Sequence, residues 1–260
     1  MSREGRQDSF DRRAATYDAA RIRQYNEANA ACRSARAIER DILVDLLELT
    51  PGLAICDVAA GGGYLADGIY DRLDGSCRIV CVENSTHFSE SLPARYERLL
   101  CSLSDIDLES GTMDRIACLA GVHHQEDKQR FFDEAFRVLR PGGLLGVGDV
   151  LCGSPPARFL NEAVDRWSDL GHGGMFLAPG ELSGLMENAG FSDVAESVHE
   201  YTWNFPELGD LVWFCKTLFR MTRAELGDVE TELRRYLEID VEPDAARLHW
   251  SLVYARARKT

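Results

Sequence analysis

Asp57 stands four residues before a run of three glycines, Gly61-Gly62-Gly63, and Glu83 comes 20 residues after the last of them. An apolar strand, a turn of small residues and a helix follow one another here. Such a turn lets a nucleotide-like ligand approach the backbone, because glycines remove the Cβ atoms that would block it. A carboxylate at the end of the next strand can accept both hydroxyls of a ribose, so the pattern asks for an adenosine-containing cofactor. Gly61-Gly62-Gly63-Tyr64-Leu65-Ala66 also satisfies the dinucleotide fingerprint G-x-G-x-x-A, which makes an NAD(P)-dependent oxidoreductase one reading. Asp57 argues against it. A negative charge is poorly placed beside a pyrophosphate and suits a cofactor with a positive amino group and a sulfonium. Farther on, His123-His124 ends a second apolar run. Either imidazole is a candidate base, though both could equally cap the next helix or pack.

The elements that must position these residues alternate. Ala54–Ala59 reads as a strand, Gly63–Leu73 as a helix, Cys77–Glu83 as a strand, Arg98–Leu103 as a weak strand and Arg115–Gly121 as a firm one. Phe132, Ala135, Phe136 and Leu139 make a helical stripe, and Leu144–Val150 is the next strand. This order predicts an α/β fold with a parallel sheet and helices on both faces. Upstream, Ile38, Ile42, Leu46 and Leu49 mark a helix that Pro51-Gly52 stops. Downstream, Leu182, Leu185, Met186 and Ala189 mark another, with Gly190 as its C′ residue. Val194–Trp203 reads as a strand, Pro206–Leu237 as two helices and Leu248–Ala257 as the final strand. All four tryptophans fall after residue 150, which points to an apolar pocket built from the later segments.

Lys and Arg number 29 against 43 for Asp and Glu, a net charge of −14 over 260 residues. That surface repels phosphate backbones and anionic lipid, so neither nucleic acid nor membrane is the expected partner. The first residues lack the apolar core of a secretion signal, and a cytoplasmic location is expected. The eight cysteines have no paired metal-ligand spacing, so they read as buried thiols, and no metal site is expected.

Taken together the residues resemble a known family. Asp57-Val-Ala-Ala-Gly-Gly-Gly is similar to motif I of the class I S-adenosylmethionine (SAM)-dependent methyltransferases, of the ubiquinone/menaquinone-biosynthesis C-methyltransferase type. Phe10-Asp-Arg-Arg-Ala-Ala-Thr-Tyr-Asp18 resembles the family's F-x-x-x-A-x-x-Y-D signature. Arg137-Val-Leu-Arg-Pro-Gly-Gly143 resembles its R-x-L-K-P-G-G run, and Glu181 through Phe191 its E-L-x-x-L-L-x-x-A-G-F element. The likeness covers most of residues 10–200 and departs at Ala59, where the family has a glycine. It departs again at Ser102, where the family has the acid that holds the adenine amino group, with Asp105 as the alternative holder.

The resemblance implies a Rossmann-like, seven-stranded, mostly parallel sheet with an antiparallel last strand. It divides the chain into a helical lid (1–50), a SAM-binding core (51–150) and a completion of the sheet (151–260) that carries a helical insertion at 205–246. It implies SAM as cofactor, S-adenosylhomocysteine (SAH) as product and a small, apolar or aromatic metabolite as methyl acceptor. Tyr17, Asp57, Ala59, Gly61, Gly63, Glu83, Asn84, Ser102, Leu103 and Ala120 are the implied cofactor residues. His124 and His123 are the candidate bases, with His124 preferred because it matches the family's usual histidine position; His172 and His199 rank below them. A SAM- or SAH-binding protein that transfers no methyl group is the alternative from another class.

Overall fold

Ile55 of β1 (Ala54–Val58) packs into the core on one face of a sheet, while Cys56 and Val58 pack into the core on the other. The next strand, β2 (Arg78–Glu83), repeats the pattern with Ile79 and Cys81 against Val80 and Val82. Side chains alternate across a strand, so a continuous apolar run is buried on both sides only if both faces are covered. The computed structural model, which describes residues 19–260, shows that arrangement. Tyr17 and the Phe10–Asp18 signature lie outside the described residues.

The parallel set is completed by β3 (Glu97–Leu100), β4 (Met113–Leu119) and β5 (Leu139–Asp149). With β6 (Ser192–Phe205) and β8 (Ala245–Arg258) the sheet order is β3-β2-β1-β4-β5-β8-β6. The last strand runs antiparallel to both β5 and β6, as expected. From β1 the chain winds outward to β2 and β3, then returns to place β4 on β1's other side. A crevice opens at the carboxyl ends of strands where the winding reverses, and it faces both the glycine turn and His123-His124.

Two sequence expectations need correction. The sheet has eight strands, because β7 (Ile239–Glu242) forms a hairpin with β8, from Ile239 opposite Leu248 to Glu242 opposite Ala245. Four alternating residues directly after a helix carry too little periodicity to be separated from it. The helix over Ile38–Leu49 packs Ile42, Leu46 and Leu49 against the core as expected, but its most buried face lies one residue further round. It spans Ala37–Leu46 (α2, after α1 at Ala19–Ala31), and Glu39, Leu43 and Val44 are its buried residues, whereas Ile38 is 43% exposed. A carboxylate holds the inward position that apolar periodicity would have given to isoleucine.

The remaining helices are α3 (Tyr64–Arg72), α4 (Thr86–Ser91), α5 (Lys128–Val138) and α6 (Pro155–Arg158). A π-helical stretch at Phe159–Val164 leads from α6 into α7 (Asp165–Trp167), and α8 (Glu181–Asn188) precedes β6. The expected pair in the insertion is present as α9 (Leu208–Leu218) and α10 (Leu226–Tyr236). Helix α9 packs on α1, α10, β6 and β8. Among the described residues no helix is long and apolar enough to cross a membrane.

Candidate active site

The turn after β1 is held in a backbone shape that few side chains allow. Ala59 (φ 61°), Gly61 (φ 56°) and Gly63 (φ 90°) all sit in the left-handed region, and Ala120 at the end of β4 does too (φ 55°). For alanine this conformation costs free energy, and such strain clusters where a site needs it. The amides of Ala59 and Ala60 both donate to the Val82 carbonyl, pinning the turn to β2. Helix α1 lies directly over it: a Cβ on Gly62 would come within 2.1 Å of Asn26 Oδ1, and the Tyr25 ring stands against Gly61.

Two buried carboxyls flank this turn. Asp57 Oδ2 accepts the Ala66 amide at 3.0 Å, tying β1 to the start of α3, and burial pushes its pKa well above the usual carboxylate range. Glu83, at the end of β2, accepts the Gly61 amide. Burial pushes its pKa up to about 7, against the pull of the Gly61, Ser85 and Asn84 amides. Both acids line one large pocket, together with Ala59, Gly61, Asn84, Leu103, Ala120, His123 and His124. Gly63 and Ser102 are not among its lining residues. Gly63 caps α3 against Leu92, Pro93 and Tyr96, while Ser102 closes a local turn whose hydroxyl accepts the Ser104 amide at 3.2 Å.

Past β4 the chain makes a 3-10 turn over Val122–His124. His123 is buried, and its Nδ1 lies 2.6 Å from Oδ1 of the fully buried Asp149 at the end of β5. Asp149 also accepts the His123 amide at 3.1 Å and the Val150 amide at 2.6 Å. The His124 ring lies 4.0 Å from that of His123, and His172 stands 5.9 Å and 6.1 Å from the two. Burial, with the adjoining His123 and Arg21, drives the His172 pKa down to about 3. Its ring is therefore neutral. His199 is elsewhere, on β6 beside Ser197.

The far wall is aromatic. Trp203, Phe219 and Trp250 lie with ring planes within 26° of one another, Trp203 and Trp250 only 4.4 Å apart. Arg36 is buried beside them, over the rings of Tyr64 and Trp203 at 5.2 and 5.0 Å. Glu39 receives Arg36 on Oε1, and Tyr201 Oη (3.1 Å) and Trp203 Nε1 (3.0 Å) on Oε2. The pocket encloses about 1360 Å³, its open mouth included.

A family model described as a methyltransferase domain matches residues 56–147, the segment from β1 through β5. The 27-O-demethylrifamycin SV methyltransferase of Amycolatopsis mediterranei is 25% identical over 68% of this chain and 68% of its own length. A ubiquinone/menaquinone biosynthesis C-methyltransferase of Cereibacter sphaeroides is 26% identical over 50% of this chain and 54% of its own. In structure, a phosphoethanolamine N-methyltransferase of Haemonchus contortus, solved with SAM, superposes with a TM-score of 0.63 at 14% identity, covering 94% of this chain and 57% of that one. The matched domain, these relatives and the shared fold support a class I SAM-dependent methyltransferase.

SAM is accordingly the cofactor of this methyltransferase, and the oxidoreductase reading is not favoured. The residues present fit it. A buried carboxyl group ends β2 beside the turn, and Gly121 lets the end of β4 approach that turn closely. A Cβ on Gly121 would lie 2.5 Å from that of Ala59. Sequence reasoning missed Arg36, Glu39 and Gln125 at the pocket, and Asp149 bonded to His123. Asp149 had a signal, since it is a lone carboxylate at the end of an apolar strand, as Glu83 is. Arg36 and Glu39 had none, because two charged residues at a spacing common on exposed helix faces give no hint that both fold inward.

Proposed function

We propose that this methyltransferase transfers a methyl group from SAM to a hydroxyl of a small, largely apolar or aromatic acceptor, with His123 as general base. The observation that carries the reading is His123, which lines the pocket while its Nδ1 is held by the fully buried Asp149. A carboxylate on Nδ1 holds the imidazole in one tautomer, with the lone pair on Nε2, and stabilises the imidazolium that forms on proton uptake. A base is useful only where the attacking atom carries a proton that must leave, which favours a hydroxyl or a similar group. That the rifamycin relative is named for an O-methylation supports the same choice.

When bound, SAM supplies a methyl group already activated on a sulfonium. The protein's part is positioning and exclusion of water. In this reading Glu83 receives the ribose hydroxyls, the backbone of Ala59–Gly61 and Ala120 lies along the amino-acid end, and Leu103 and Asn84 border the adenosine. Asp57 braces the turn through Ala66 and borders the same end. His124 and the neutral His172 flank the acceptor's reacting oxygen, and α1 with α9 covers it. The eight free cysteines accord with a reducing compartment, and so with the cytoplasm.

The test is a methyl-transfer assay with methyl-labelled SAM against a panel of phenols and macrocyclic alcohols. His123→Ala and Asp149→Asn should each lower turnover by roughly 10²–10⁴ while SAH affinity stays nearly unchanged. His124→Ala should cost less than either. Normal turnover in both the His123 and Asp149 variants would return the pair to a structural role and end the base assignment.

A further inference from the structure

The aromatic end of the pocket has more hydrogen-bond donors than acceptors. Glu39 is fully used, its two oxygens taking Arg36, Tyr201 and Trp203. Arg36 spends Nε and Nη2 on Glu39, and its Nη1 has no partner among the described residues. The Tyr64 hydroxyl, whose ring lies under the same guanidinium, is buried with no acceptor at all. A buried donor left unmade is costly, so what this corner lacks is an oxygen. The charge state says which kind. Glu39 already balances Arg36, and a second anion there would face the Glu39 carboxylate, so the corner suits a neutral acceptor atom and not a carboxylate or phosphate.

Beside that corner stand three mutually stacked rings, Trp203, Phe219 and Trp250, which line the pocket and give it a rigid aromatic wall. Resting on the apolar-acceptor reading above, we propose that Arg36 is the specificity-determining residue for the acceptor. It binds a carbonyl oxygen of a planar aromatic ketone, lactone or quinone whose ring system lies against the Trp203–Phe219–Trp250 wall. Arginine suits the task better than lysine. Its planar fork serves Glu39 with one edge and the ligand with another, whereas one ammonium drawn to Glu39 would leave the carbonyl out of reach.

Calorimetry in the presence of saturating SAH tests this with three probes of one size: 7-hydroxycoumarin, which has a neutral carbonyl, 2-naphthol, which has none, and 6-hydroxy-2-naphthoate, which has a carboxylate. The unmodified protein should bind 7-hydroxycoumarin most tightly and the naphthoate least. Arg36→Lys should weaken 7-hydroxycoumarin about tenfold or more, the worth of a charge-assisted hydrogen bond, and leave 2-naphthol within about twofold. The double variant Arg36→Met/Glu39→Gln, which strands no charge, should repeat that pattern, with SAH affinity reporting an intact fold in each. Equal binding of 7-hydroxycoumarin and 2-naphthol, equal losses for both in the variants, or a preference for the naphthoate would overturn the assignment of Arg36 alone. Failure of all three probes to bind would overturn the apolar-acceptor reading and this inference with it.

Discussion

Glu83 keeps its proton up to about pH 7, because burial penalises the carboxylate more than three backbone amides relieve it. Two opposite pH effects follow. In the free protein the folded state holds a proton that the unfolded chain releases near 4.5, so stability falls as pH rises from there to about 7. A ribose donates its hydroxyls to the ionised carboxylate, so cofactor affinity should move the other way. SAH binding should strengthen as pH rises from about 6 to about 8, by at most about tenfold per unit, and then level off. Calorimetry in two buffers of different ionisation enthalpy should show a proton released on binding near neutrality. Glu83→Gln should bind more weakly and flatten the profile; a profile as steep as the parent's would mean that some other group carries it.

At the scale of elements, Glu39 fastens α2 to β6 through Tyr201 and Trp203, and its own carbonyl accepts Tyr254 Oη of β8 at 2.8 Å. Removing the carboxylate while leaving Arg36 buried should cost about 3–5 kcal/mol, the usual penalty of stranding one charge of a buried pair. Urea denaturation of Glu39→Ala should show that loss, and Glu39→Gln a smaller one. A loss near zero would mean that Arg36 escapes to solvent. This network also shows where sequence reading stops. The glycine turn, Asp57 and Glu83 were legible because their meaning lies in local spacing along one strand-turn-helix. The strands were legible from apolar runs. Asp149 reaches His123 across 26 residues and Glu39 reaches Trp203 across 164, and no local period encodes such a meeting. On α2 the buried Glu39 falls at helical spacing from Leu43 and Leu47, yet nothing in the local pattern marks a carboxylate as inward-facing.

For the molecule as a whole, β8 is the strand on which the sheet depends. It pairs along twelve residues of β6, six of β5 and all four of β7, and its Trp250 and Leu252 line the pocket. A chain shortened to residue 244 keeps every motif from β1 to β5, yet should fail to fold cooperatively. Circular dichroism and hydrogen exchange would show a broad transition and little protection in β6. A sharp transition near that of the full chain would mean that residues 51–150 stand alone. The same placement sets the timing of assembly. Strand β6 is synthesised before the strand that must come between it and β5, so as the chain leaves the ribosome one edge of β5 and one of β6 wait unpaired, with Tyr201, Trp203 and Phe205 uncovered. The cofactor turn can be complete in sequence long before the sheet can close. During that interval the nascent chain carries its most adhesive surface in the open, which makes it a natural client for chaperones that hold exposed strand edges.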